Sequence, residues 1–273
     1  MTQWNSLFCS LDNDVIPALT ATLDALDFDI YDAFDLIPGK SYPETLKCFV
    51  VPSASTWTQI LVDDDNSLDD LELLAERLSE HGLVILTQLD MTEGALDLYH
   101  KGDAVDDMVE ALTPYLLDGK TPDDLERALD GKLPLPMIDQ QPDEQEQILA
   151  IDDLPDDIRN MTQGMNLSSA QKMFQRMTGN LMGRGQAQGA QDMINSDRLD
   201  WNSDGGLFVR GLLSCLMAGD GWMSPDFATV RDAYQRHVRK QRRPNAKLYP
   251  GDQQMMDAVP NALDYAPVYG GQG

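Results

Sequence analysis

The stretch 83-LVILTQLD-90 restricts the fold more than any other part of this chain. It is apolar at several successive positions, the pattern of a strand lying central in its sheet rather than at an edge. Its surroundings supply the rest of a sheet-based domain. LKCFVVP (46–52) and TWTQILVD (56–63) read as two strands, with Pro52, Ser53, Ala54 and Ser55 as the turn between them. SLDDLELLAERLSEHG then reads as a helix. Ser67 and Asp70 form a capping box, Leu68, Leu71, Leu74, Ala75 and Leu78 make the apolar stripe, and Gly82 is the stop.

Upstream, VIPALTATLDAL (15–26) carries a buried-helix stripe, with Pro17 tolerated because it falls in the first turn. FDIYDAFDLIPGKSYP is ambiguous between strand and loop. Downstream, ALDLYHKGD (95–103) is a weaker strand, and DAVDDMVEALTPYLL is an amphipathic helix with Val105, Met108, Val109 and Leu112 on one side. Thr121, Pro122, Asp123 and Asp124 combine an N-cap, a first-turn proline and first-turn acid, opening a short helix that Gly131 closes. This order predicts an α/β or α+β domain with a mixed sheet over residues 1–131. No glycine-rich dinucleotide fingerprint follows any strand and no Walker-type phosphate loop is present, so those two nucleotide-binding folds lose their main support.

Composition changes at residues 132–160, where Pro134, Pro136, Pro142 and Pro155 interrupt a run of Asp, Glu and Gln. This segment reads as a linker. Beyond it, 161–243 predicts a mainly helical, Met-rich second domain that includes VRGLLSCLMAG and ends in a basic helix from about 225 to 240. The last segment, 244–273, is rich in Pro, Gly and Tyr without periodicity and is expected to be extended or disordered.

Charge divides the chain at the same place. Residues 1–160 hold 36 acidic and 8 basic side chains, a net of −28, whereas 161–273 hold 10 and 12, a net of +2. A surface of that sign disfavours anionic membranes and nucleic acids, which need Lys and Arg to displace counterions. Cys9, Cys48 and Cys215 are odd in number and widely spaced, which argues against a disulfide framework or a zinc knuckle. The N-terminus lacks a basic signal-peptide region, and Arg210 interrupts the nearest approach to a membrane span; a cytoplasmic location is expected.

Three groups of residues could carry chemistry. DWNSDGGLFVRG (200–211) begins like a calcium loop, with Asp200, Asn202 and Asp204 at alternate positions and Gly205 at the bend. Position twelve, where a bidentate glutamate belongs, is Gly211, so an Asx turn between helices is the expected state and no metal or other cofactor is assigned. Asp63 and Asp65 end one strand, while Asp90 ends the next and Glu93 follows it; carboxylates at strand ends could hold a cation or form an acid–base pair if the strands are neighbours. His100 could meet Cys48 as a thiol–imidazole dyad, although a buried core thiol is the reading preferred for Cys48. The basic run RDAYQRHVRKQRRPNAK offers Arg236, Arg239, Lys240, Arg242 and Arg243 as interaction residues.

Together these features point to a non-catalytic protein–protein interaction, regulatory or assembly protein that binds a protein partner or itself. One alternative is a metal-dependent enzyme using the strand-end carboxylates; another is a nucleic-acid-associated protein acting through the basic helix, which the acidic front half disfavours.

Overall fold

The computed structural model describes residues 3–34, 42–53, 56–63, 68–90, 92–138, 199–223, 225–245 and 251–273. In chain order they form β1 (Gln3–Leu11), α1 (Val15–Ala25), β2 (Asp29–Tyr31), β3 (Glu44–Val50), β4 (Thr58–Val62), α2 (Leu68–Leu78), β5 (Gly82–Asp90), β6 (Glu93–His100) and β7 (Asp103–Ala104). Then follow α3 (Met108–Leu112), α4 (Pro122–Leu129), α5 (Asp204–Leu216), α6 (Phe227–Arg242), α7 (Asp252–Ala258) and β8 (Ala266–Gln272). Two compact units are present, one of residues 1–136 with 199–273 and one of 137–198; the second lies almost wholly outside the described residues.

The eight strands form one sheet in the order β2-β8-β3-β4-β1-β5-β6-β7. Every pairing among the described strands is antiparallel, which corrects the expected mixed sheet. The reason lies in where the crossovers land. Helix α2 carries the chain from β4 to β5 in the same direction, but β1 lies between those two strands and runs against both. Helix α1 likewise joins β1 to β2, with three strands between them. Short connections make β3–β4, β5–β6 and β6–β7 hairpins, whereas β8 enters from the C-terminal segment to pair with β2 and β3.

Period-two alternation sends each strand's side chains into different layers. Leu7 and Cys9 of β1, Cys48 of β3, Ile60 of β4 and Leu86 of β5 meet Leu19 and Leu23 of α1 and Leu71, Leu74 and Leu78 of α2. The opposite side chains divide into two groups. Trp4, Phe8, Ile85 and Leu89 pack with Leu112, Leu125 and α5, while Phe49, Leu61 and Tyr269 pack with Phe227, Val230 and Ala233 of α6. The result is helix, sheet and helix in three layers.

Helix ends follow their local chemistry. Asp14 caps α1 by accepting from Ile16 N at 3.2 Å, and Thr121 with Asp124 forms the capping box of α4, with Pro122 in its first turn. The proposed Ser67 cap of α2 lies outside the described residues.

β1 is absent from the sequence-based expectations, yet it pairs along all nine residues with β5. Its polar residues explain the omission. Asn5 and Ser6 are buried between apolar neighbours and bond within the sheet: Ser6 Oγ accepts from Gln59 Nε2 at 3.1 Å, the Ser6 carbonyl accepts from Thr87 Oγ1 at 2.9 Å, and Asn5 Oδ1 accepts from Gln88 Nε2 at 3.4 Å, while Asn5 Nδ2 has no partner among the described residues. Buried polar side chains with partners disguise a central strand as a mixed segment.

The C-terminal expectations also change. Residues 199–243, placed in a separate helical domain by composition, pack on the same sheet as residues 1–136. The tail expected to be extended or disordered supplies α7 and β8, and β8 lies inside the sheet between β2 and β3. Its sequence, APVYGGQ, lacks an apolar alternation because aromatic rings lie over its glycines. A Cβ on Gly271 would come within 2.3 Å of the Tyr42 ring, and one on Gly270 within 2.9 Å of Phe28 Cβ. Residues 139–160 of the linker and 161–198 of the Met-rich segment lie outside the described residues.

Tyr99 gives this fold an expected response to alkali. Burial, followed by the charges of Asp97, Glu72 and Glu76, pushes its phenol from about 10 up to about 12. Between those values the folded state holds a proton that the unfolded state has released, so stability falls as pH rises through that window. Tyr99→Phe should flatten the fall in urea midpoint between pH 10 and pH 12; parallel profiles for parent and variant would count against it.

Candidate functional site

The expected catalytic carboxylates do not converge. Asp63 is buried at the end of β4, where its Oδ2 accepts from Lys47 Nζ at 2.7 Å and its backbone N donates to the Lys47 carbonyl at 3.1 Å. Asp90 and Glu93 are exposed partners at the tip of the β5–β6 hairpin. With β1 between β4 and β5, the two strand ends stand about 10 Å apart, two strand spacings. Asp65 lies outside the described residues. His100 and Cys48 are further apart still: β3 and β6 are separated by three strands, about 19 Å, so the proposed dyad does not form. Cys48 is instead a fully buried core thiol whose titration burial pushes upward.

The calcium-like loop takes the form of an Asx turn and a helix cap. Asp200 Oδ1 accepts from Asn202 N at 2.9 Å, and Ser203 Oγ accepts from Gly206 N at 3.1 Å, opening α5. Asn202 Oδ1 accepts from Arg210 Nη1 at 3.3 Å, while Asp204 is exposed in the first turn. Gly205 has a packing role: its N donates to the Thr92 carbonyl at 3.1 Å, and a Cβ there would come within 2.1 Å of Gly94 N. The glycine that suggested a metal loop is where α5 touches the β5–β6 hairpin backbone to backbone.

The basic helix α6 lies on the sheet through an apolar face. Tyr234 packs against Phe49 and Phe34 with ring centroids 5.4 and 4.6 Å apart. At least three of its arginines bond within the same unit, Arg231 Nε donating to Asp232 Oδ1 at 3.1 Å. Arg236 Nε donates to Asp252 Oδ1 at 3.1 Å and its Nη1 to the Asp232 carbonyl at 2.8 Å, while Arg242 Nη1 donates to the Phe34 carbonyl. Arg239 and Arg243 are exposed, Lys240 is half-buried, and Arg243 stands at the C-cap.

A cleft that no motif predicted lies at one end of the sheet. Its walls come from four places in the chain: Phe8 of β1, Trp57 just before β4, Tyr115 beyond α3, and Trp222 in the 3-10 turn after α5. Trp57 and Tyr115 stand with ring centroids 5.3 Å apart, and Phe8 meets Trp222 edge-on at 6.1 Å. Polar bonds fix the frame around them. Gln59 Nε2 donates to the Trp222 carbonyl at 2.8 Å, Ser53 Oγ donates to the Trp57 carbonyl at 2.8 Å, and Leu117 N donates to the Cys215 carbonyl at 2.9 Å. Together they enclose about 690 Å³, within the range of roughly 300–1,000 Å³ usual for ligand sites.

The side chains lining this space set what it can do. Among the described residues lining it, Ser53, Thr56, Gln59 and Asp118 are polar or charged beside the aromatic Trp57, Tyr115 and Trp222, and none is His, Cys, Lys or Arg. Ser53 Oγ and the Gln59 amide already donate within the frame. Such a lining can bury apolar and aromatic groups.

A second cavity of about 360 Å³ adjoins the first, sharing Val51, Pro52, Ser53 and Thr56 of the β3–β4 connection. It reaches Cys9, Asp14, Ile16 and Asp264. Burial raises the Cys9 thiol, while Asn13, Asp14, Ser53, Thr56, Thr58 and Asp264 give the rest of the lining a polar character.

Fold and cleft together define a three-layer α/β protein with an antiparallel sheet and an aromatic-lined cleft at the β3–β4 end. No family model matches the chain, and no curated protein or solved structure matches it. Among the described residues, no helix is long and apolar enough to cross a membrane.

Proposed function

We propose that this chain is a non-catalytic protein–protein interaction module, regulatory or assembly in role, and that the aromatic cleft receives an apolar side chain of its protein partner. The observation carrying this reading is the lining itself: Phe8, Trp57, Tyr115, Leu216, Met217 and Trp222 around a volume of about 690 Å³, with four polar or charged side chains. Preformed clefts of this kind bind by removing apolar surface from water, worth about 25 cal/mol per Å² before the losses of association are counted. Aromatic anchors held by a rigid frame are also the usual centre of binding energy at protein interfaces.

Ala218 provides a test that spares the core, because it lines the cleft but is exposed. Ala218→Trp should fill the mouth with little change in melting temperature. A host protein captured by the parent chain, identified by mass spectrometry and purified, should bind the parent in calorimetry and bind the Trp variant at least about tenfold more weakly, the loss of roughly 1.4 kcal/mol. Equal affinity for both chains would remove the cleft from the interface.

A further inference from the structure

The chemistry around the cleft identifies the kind of segment it takes. We infer that the partner presents a cationic segment in extended form, with an aliphatic or aromatic anchor in the larger cavity and its Lys or Arg side chains towards the rim. This rests on the docking role proposed above for the cleft, and three observations support it.

Charge comes first. Among the described residues, the side chains lining the two adjoining cavities include the carboxylates of Asp118, Asp14 and Asp264 and no Lys or Arg. The compact unit that contains them, residues 1–136 with 199–273, holds 36 acidic and 15 basic residues, a net of −21. The net charge of a second copy opposes its approach as a whole, whereas a cationic segment is drawn in and its wrong-charge competitors are repelled.

Shape comes second. The cavities lie on either side of residues they share, Val51, Pro52, Ser53 and Thr56. A segment crossing that connection in extended form can place side chains in both spaces, since alternate residues of an extended chain project to opposite sides. The third observation is a donor. Trp222, on the wall of the larger cavity, has a buried indole N–H with no acceptor among the described residues, and a peptide carbonyl is an acceptor it could use once the ring turns towards the cleft.

The test uses the full chain and short fluorescein-labelled peptides alternating leucine with lysine, leucine with glutamine, leucine with glutamate, and serine with lysine, each followed by fluorescence anisotropy. The leucine–lysine peptide should bind tightest, the glutamine peptide about tenfold more weakly, and the other two barely. Asp118→Asn and Asp264→Asn should each weaken the lysine peptide about threefold, the size of a rim charge pair, and leave the glutamine peptide unchanged. Raising salt from about 0.1 M to about 1 M, which shortens the screening length from about 10 Å to about 3 Å, should bring the lysine and glutamine peptides together.

Equal binding of the lysine and glutamine peptides, both lost in Ala218→Trp, would overturn the cationic inference while leaving the docking cleft in place. A serine–lysine peptide as tight as the leucine–lysine one would overturn it too, because charge would then act without the anchor. Lysine-peptide binding indifferent to Ala218→Trp would overturn both readings.

Discussion

Gly205→Ala should lower the stability of this protein by about 3 kcal/mol, whereas Gly211→Ala, two turns along the same helix, should raise it. Both positions belong to the calcium-like segment, and on helix propensity alone both changes should help, by about 0.5–1 kcal/mol each. Packing gives them opposite signs. A Cβ at 205 would stand 2.1 Å from Gly94 N and 2.4 Å from the Thr92 carbonyl, both backbone atoms that no side-chain rotation can move aside. To accept it, α5 must back away from the β5–β6 hairpin, breaking the bond from Gly205 N to the Thr92 carbonyl and loosening Val209, Leu212 and Leu213. At 211 the new methyl would meet Ala128 Cβ at 3.5 Å, an ordinary contact that extends the packing of α5 on α4. Thermal melting should place Gly205→Ala roughly 10 °C below the parent and Gly211→Ala about 2 °C above it. A Gly205→Ala protein that melts with the parent would show that the hairpin and helix are not held at this distance.

Those glycines show where sequence reading reaches its limit. α1, α2, α4, β5 and the β3–β4 pair were legible because each is specified locally, by an apolar period, a capping residue and a stop. β1 and β8 were not. In β1 the signal is masked by Asn5 and Ser6, which are buried and bonded to Gln88, Gln59 and Thr87 from neighbouring strands. In β8 the small residues exist to admit the rings of Phe28 and Tyr42, which no feature of APVYGGQ announces. Misplacing β8 also misplaced the domain boundary, since a tail read as unstructured cannot be recognised as a strand inside the first sheet.

The cleft was the least legible part. Phe8, Trp57, Tyr115 and Trp222 are brought together only by sheet order, and no spacing in the sequence relates them. One signal was present: Trp57 and Trp222 lie next to turn residues and outside any amphipathic stripe. Large aromatics in such places are candidates for a binding wall. The acidic balance was legible from composition, but its placement around the cleft at Asp14, Asp118 and Asp264 was not.

Arg210 gives the second large expectation. It interrupts an apolar helix, and it is 2 % exposed within the packing of α5. No carboxylate pairs with it among the described residues; burial lowers its pKa, opposed by the charge of Asp220. A buried cation without an ion-pair partner is retained only where hydrogen bonds hold it. Arg210 Nη2 donates to the Pro136 carbonyl at 2.7 Å, and its Nη1 to the Trp201 carbonyl and Asn202 Oδ1, each at 3.3 Å. Residues 136 and 201 flank residues 137–198 in sequence, so one guanidinium joins two parts of the sheet unit that are far apart along the chain. Arg210→Met keeps the volume and removes the buried charge, which helps, but it strips three acceptors of their donor at once, which outweighs it. The expected net loss is about 2 kcal/mol in urea unfolding. Arg210→Lys should fall between parent and Met, because an ammonium is a point donor that cannot span both parts as the planar fork does. Hydrogen exchange should locate the effect, with protection lost first around 133–136 and 199–203 while β1 and β5 keep theirs. Uniform loss across the sheet, or a Met variant as stable as the parent, would show that Arg210 is ordinary core rather than a fastening.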